Sequence, residues 1–185
     1  MEAFLVSTLA VAIAEIGDKT QLLTFALTAR FRRPWPVLAG VLVATLANHA
    51  LAAALGSMAA SFFEGQWFRW LVGLSFIIMA GFILIPDKLD DGEARVRPGA
   101  GPFLTTTVLF FIAEMGDKTQ IATIALAAQY HAIVVVMLGS TLGLMLANAP
   151  AALLAGFAAG RLPLKPIRYA AAALFAALGL YALLA

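Results

Sequence analysis

Long apolar stretches broken by short polar interruptions run the length of the chain. Six of them, near Ala3–Ala29, Val37–Ala59, Trp67–Ile85, Phe103–Gln129, Ala132–Ala159 and Ile167–Ala185, are long enough to cross a bilayer, which takes about 20 apolar residues in a helix. Helix breakers separate them at Arg32-Arg33-Pro34-Trp35-Pro36, Pro86-Asp87, Pro98-Gly99-Ala100-Gly101-Pro102 and Arg161-Leu162-Pro163-Leu164-Lys165-Pro166. A transmembrane barrel would alternate apolar and polar positions over about ten-residue segments. These runs are continuous and rich in Ala and Leu. The pattern predicts an all-α polytopic membrane protein with six transmembrane helices.

Composition agrees. Of 185 residues, 63% are hydrophobic, and the 15 glycines raise the apolar share to about 71%, against about 45–50% in soluble domains. A soluble fold of this size leaves too much surface exposed to hide that much apolar matter, so the soluble globular and disordered classes are excluded. The chain has no cysteine, which removes disulfide, thiolate-zinc and thiol chemistry. Its net charge is only +2, with no basic face interleaved with aromatics, so nucleic acid is not a partner. The start, Met1-Glu2, carries no basic region, and the first stretch therefore reads as a retained span rather than a cleaved signal peptide.

Lys and Arg in short loops set orientation. Six spans put both termini, the second loop and the fourth loop on one side, where the only basic residue is Arg69. The first, third and fifth loops hold Arg30, Arg32, Arg33, Lys88, Arg95, Arg97, Arg161, Lys165 and Arg168. Those loops are expected in the cytoplasm and both termini outside.

The chain also repeats itself. Ala14-Glu15-Ile16-Gly17-Asp18-Lys19-Thr20-Gln21 returns 99 residues later as Ala113-Glu114-Met115-Gly116-Asp117-Lys118-Thr119-Gln120, with seven of eight positions identical. Thr24 and Thr123, Gly40 and Gly139, Arg69 and Arg168, and Phe76 and Phe175 keep the same spacing. Leu46-Ala47-Asn48 and Leu146-Ala147-Asn148 are offset by 100, a one-residue insertion. Residues 1–86 and 103–185 are thus two three-helix units joined by a cytoplasmic linker, 87–102. Three spans is an odd number, so the second unit enters from the opposite face, giving inverted repeats with a site expected near mid-membrane where they meet. The linker acids Asp87, Asp90, Asp91 and Glu93 are either a solvated surface or a cation-gathering mouth.

Six charges fall inside two spans: Glu15, Asp18, Lys19, Glu114, Asp117 and Lys118. Each costs about 2.5–3.5 kcal/mol to insert. Spaced three apart, Glu and Asp are expected on one helix face. Gly17 and Gly116 remove bulk beside them, for close helix approach or local unwinding. If the two motifs face each other, four carboxylates surround one small space. Gln21, Gln120, Asn48 and Asn148 add amide oxygens, and hard divalent cations favour such an oxygen-rich site. Four acids and two lysines sum to −2, which one divalent ion neutralises. Once it leaves, crowded carboxylates in a low dielectric repel each other and take up protons. The expected partners are a divalent cation, protons and the lipid bilayer; no resident cofactor is required, because the ion is cargo.

Competing readings exist for each group. Glu15–Lys19 and Glu114–Lys118 have the spacing of inert i,i+4 pairs, although that leaves Asp18 and Asp117 unbalanced. Thr20, Thr24, Thr119 and Thr123 suit interhelical hydrogen bonding as well as ligation. His49 could relay protons, yet its counterpart is Ala149, as expected of a packing residue. An exporter of small cationic solutes could use the same acids. An intramembrane hydrolase is disfavoured because there is no Arg clamp, Ser-His pair or phosphate loop within the spans, and no enzymatic activity is expected.

At its two motifs, Glu15-Ile16-Gly17-Asp18-Lys19-Thr20 and Glu114-Met115-Gly116-Asp117-Lys118-Thr119, the chain resembles the GDT-type cation transporters, small membrane proteins with two copies of Glu-x-Gly-Asp-(Lys/Arg)-(Thr/Ser). The resemblance runs from the first span to the last. It implies secondary transport of manganese and calcium in exchange for protons, and cation binding by Glu15, Asp18, Glu114 and Asp117. Bacterial relatives are implied to export manganese, while organellar ones load the Golgi or chloroplast. The short, Ala-rich chain fits a bacterial inner-membrane member.

Overall fold

A computed structural model describes residues 1–62, 66–85, 101–154 and 164–184. These residues form eight α-helices with no strand among them: α1 (Glu2–Glu15), α2 (Lys19–Phe31), α3 (Pro34–Phe62), α4 (Gln66–Ile83), α5 (Pro102–Glu114), α6 (Lys118–Tyr130), α7 (Ile133–Leu153) and α8 (Leu164–Leu184). The first and fourth expected spans are therefore each two helices rather than one. Helices α1 and α5, of 14 and 13 residues, rise only about 20 Å at 1.5 Å per residue, short of a hydrocarbon core of about 30 Å. Only in tandem with α2 and α6 do they have the length to cross. By length and apolarity alone, α3, α4 and α7 qualify singly as spans. The end of the fifth expected span and most of the linker fall outside the described residues.

Large apolar side chains cover the outside, and polar and charged side chains are buried among the apolar ones within. Leu5, Leu9, Leu51, Leu55, Leu71, Leu74, Leu138 and Leu142 are exposed, while Ser7, Glu15, Asp18, Thr24, Asn48, His49, Glu114 and Ser140 are buried. In water this arrangement would be unstable. In lipid it is the expected one, since ionisable groups there turn toward the bundle interior.

The helices pack reciprocally between the repeats. A Cβ built on Gly40 of α3 would stand 2.8 Å from the Phe103 carbonyl and 2.8 Å from Thr106 Cβ of α5. At the matching Gly139 of α7, the neighbours are the Phe4 carbonyl at 2.7 Å and Ser7 Cβ at 3.1 Å of α1. Each repeat thus lays its second long element against the first helix of the other, at equivalent residues. Glycine permits these backbone approaches; any side chain would push the helices apart. Gly139 meets Phe4 and Ser7 while Gly143 meets Thr8 and Ala12, so α7 runs parallel to α1. Gly40 meets Phe103 and Gly56 meets Ile124, so α3 runs parallel to the α5–α6 pair. Helices α4 and α8 close the bundle through Gly73 and Gly179, which face each other, and through the Phe76 and Phe175 rings, 6.1 Å apart. Those two phenylalanines share the 99-residue spacing of the sequence repeat, so each meets its own counterpart.

Candidate functional site

Both acidic motifs are turns. Helix α1 ends at Glu15 and α5 at Glu114, followed by Ile16 (φ −66°, ψ 114°) and Met115 (φ −68°, ψ 120°). Gly17 and Gly116 then swing to φ +83° and +77°. The Asp18 amide donates to the Glu15 carbonyl and the Asp117 amide to the Glu114 carbonyl, both at 3.1 Å. This is type II turn geometry, which puts glycine where φ must be positive. The expected common helix face for Glu and Asp is thereby corrected: the two acids open and close a turn. The same break removes the helical register that the i,i+4 Glu–Lys reading assumed. Asp18 and Asp117 are the N-caps of α2 and α6, so each stands at the partially positive end of a helix. The legible signal was Gly-Asp within an apolar run, a glycine turn followed by an N-cap.

Neighbouring side chains lock both turns in the same manner. The Gly17 amide donates to Gln21 Oε1 at 2.9 Å, and the Gly116 amide to Gln120 Oε1 at 2.7 Å. Thr20 Oγ1 donates to Glu15 Oε2 and Thr119 Oγ1 to Glu114 Oε1. Gln21 Nε2 also reaches the Ala147 carbonyl of α7 at 2.8 Å. The two motif threonines, which sequence reasoning left undecided, thus orient the glutamates.

Glu15 and Glu114 are both fully buried. Among the described residues, Glu15 Oε1 and Glu114 Oε2 accept no hydrogen bond. One carboxylate oxygen each from Glu15, Glu114 and Asp117 lie within 4.8 Å of one another. Oxygens on opposite sides of a bound Ca²⁺ stand about 4.6–5.2 Å apart, twice the usual bond length, so three oxygens from both repeats have the spacing of a hard-cation site. Left empty and ionised, such a group is costly, because buried charges need partners.

Asp18 is held differently. Lys118 Nζ pairs with Asp18 Oδ1, while Lys19 Nζ lies 3.8 Å from Asp117 Oδ1. Both pairs cross between repeats. Asn48, on α3, donates to the Phe111 carbonyl at 3.1 Å, one turn before Glu114, and its Oδ1 is buried without a partner among the described residues. Asn148 is more fully used: its Oδ1 accepts from Thr24 Oγ1 at 2.7 Å and its Nδ2 donates to the Leu144 carbonyl at 3.1 Å. Among the described residues, Thr123 bonds within its own helix, at the Thr119 carbonyl. His49 is buried between α3 and α7, 3.5 Å from the Thr141 hydroxyl. The linker acids fall outside the described residues.

A family model described as "Divalent cation/proton antiporter GDT1" matches residues 3–91 and 102–185, nearly the whole chain. The chain belongs to the GDT1 family. A Vibrio cholerae protein named "Putative manganese exporter" is 49% identical over 176 residues, covering 95% of this chain and 87% of that protein. The Synechocystis "GDT1-like protein sll0615" is 29% identical across 95% of this chain and 93% of its own length. A rice "GDT1-like protein 4" is 26% identical over 77% of this chain and 59% of its own. No solved structure matches. As a GDT1 member with buried charged groups and an apolar exterior, the chain is a multi-pass membrane transporter of divalent cations.

Proposed function

We propose that this protein exports Mn²⁺ from a bacterial cytoplasm across the inner membrane in exchange for protons, with Ca²⁺ as a second substrate. The observation that carries this reading is the buried convergence of Glu15, Glu114 and Asp117 oxygens, two of the three residues coming from one repeat and the third from the other. The name of the Vibrio relative favours manganese and the outward direction; side-chain chemistry alone would accept either ion.

Six spans arranged as two inverted repeats, 1–86 and 103–185, are part of the proposal. Its support is directional. The two-residue link Arg32-Arg33 sends α3 back against α2, and α3 runs parallel to α5–α6. The acidic helix pairs of the two repeats then run in opposite senses. Together with the Lys/Arg asymmetry of the loops, this supports an orientation with the termini outside and the linker 87–102 in the cytoplasm.

In this mechanism the ion takes Glu15, Glu114 and Asp117 as charged ligands and Asn48 Oδ1 as a neutral one. Gln21, Gln120 and Asn148 brace the turns. When Mn²⁺ departs, protons settle on the carboxylates it vacates, because facing unprotonated acids in an apolar interior repel. Ion and protons then compete for the same oxygens, as an exchanger requires.

Growth on high manganese tests the assignment, in cells lacking their own exporter and expressing Glu15→Ala or Asp117→Ala. Both variants should lose protection. Full protection by both removes the ligand set. Proton coupling has its own test: Mn²⁺ flux in proteoliposomes should respond to an imposed pH gradient, and indifference to the gradient refutes exchange.

A further inference from the structure

The two motif lysines are left without a task by the transport reading, yet the structure gives each a position across the repeat boundary. Lys118, from the second turn, pairs with Asp18 at the first; Lys19, from the first, approaches Asp117 at the second. The two contacts are unequal. Asp18 has a fully buried side chain and Lys118 is 11% exposed, whereas Asp117 and Lys19 are 9% and 21% exposed. The convergent oxygens come from Glu15, Glu114 and Asp117. The acid outside that group is the one that Lys118 grips.

Resting on the transport reading above, we propose that Lys118 is a tethered competitor of the transported ion: its ammonium occupies Asp18, withholds it from the ligand set, and must leave before a divalent cation gains its fourth carboxylate. The electrostatics are simple. A seated ammonium neutralises one acid and repels an incoming M²⁺. Glu15 lies in the field of Glu114, Asp18 and Asp117, and Glu114 in the field of Asp117 and both lysines, so a lysine's position is felt at Glu114. A divalent ion carries twice the charge of the ammonium and can displace it; a monovalent alkali ion offers no such advantage. Lys118 thus sets a threshold for entry and helps to expel the ion by returning. Lys19, 3.8 Å from Asp117 and more exposed than Lys118, plays the same part weakly in this conformation.

Mn²⁺ binding to purified protein in nanodiscs, followed by loss of the free-ion paramagnetic resonance signal, tests this. Lys118→Met should bind Mn²⁺ at least tenfold more tightly than wild type and turn over more slowly in proteoliposomes. Lys19→Met should tighten binding by less than threefold. Asp18→Asn should weaken it, because the released ammonium then engages the remaining acids. The double variant Asp18→Asn/Lys118→Met should recover at least tenfold over Asp18→Asn. A merely structural lysine would not tighten binding on removal. Unchanged or weaker binding by Lys118→Met overturns the proposal. If that single variant does not fold, equal affinity of the double variant and Asp18→Asn overturns it instead. Glu114→Gln separates the two readings. If wild type binds and Glu114→Gln does not, a failed lysine test counts against the competitor alone; if Glu114→Gln binds like wild type, the ligand set falls and the competitor with it.

Discussion

The first and second acidic turns have nearly the same sequence and the same backbone, yet they are not in the same state. Gly17 and Gly116 share a positive φ, Gln21 and Gln120 hold the same amide, and Thr20 and Thr119 hold the same glutamate. The difference begins one layer out. Asp18 is gripped by Lys118, while Asp117 turns toward the glutamates with Lys19 at 3.8 Å. Thr24 reaches across to Asn148, while Thr123 bonds within its own helix. Asn148 uses both its oxygen and its nitrogen, and Asn48 keeps an oxygen without a partner among the described residues. Identical turns therefore carry unequal loads because their surroundings differ: α3 has His49 where α7 has Ala149, and α7 carries the extra residue. That inequality gives each half of the site its own measurable consequence.

Breaking the seat of the second turn should have the largest effect. A Cβ on Gly56 would collide with the Ile124 carbonyl of α6. Gly56→Leu should thus cost about 3 kcal/mol, read as a large drop in thermal unfolding temperature in detergent. The turns themselves come next. At Gly116 a Cβ would meet open space, so Gly116→Ala isolates the strain of φ +77°, about 1–2 kcal/mol. Gly17→Ala should match it; a clear mismatch would mean that the equal backbones are unequally supported.

Thr20→Val and Thr119→Val each remove one hydrogen bond to a glutamate, and each should weaken Mn²⁺ binding about tenfold, since a bond to a charged group contributes about 1.5 kcal/mol or more. A larger effect on one side would identify which glutamate bears the ion. The smallest expected difference separates the asparagines. Asn148→Ala should lower stability by about 1 kcal/mol with little change in Mn²⁺ affinity, whereas Asn48→Ala should reduce affinity a few-fold. Equal behaviour would erase the asymmetry described here.

The repeat, the six apolar stretches and the acidic residues were legible because each is local: identity at a fixed spacing, hydropathy and charge in the wrong solvent. The helix breaks were half legible. Glycine before aspartate announced some relaxation of the helix, but an apolar run with strong periodic neighbours reads as continuous, and nothing local chooses between close packing and a turn. The glutamines looked like ligands because an amide oxygen near an acid resembles one; their work on Gly17 and Gly116 depends on a fold-back that a helical projection does not contain. The crossing of Lys118 to Asp18 was out of reach, since it joins residues 100 apart through the meeting of two repeats.

The glutamine bonds carry a further consequence. A broken helix ordinarily offers bare N–H groups that welcome anions, and here the Gly17 and Gly116 N–H groups are already spent on glutamine oxygens. Each glutamine oxygen is thereby engaged by its own turn, which leaves the carboxylates as the charged oxygens that face the cargo. A substitution of either glutamine would therefore act on the shape of a turn before it acted on any ligand.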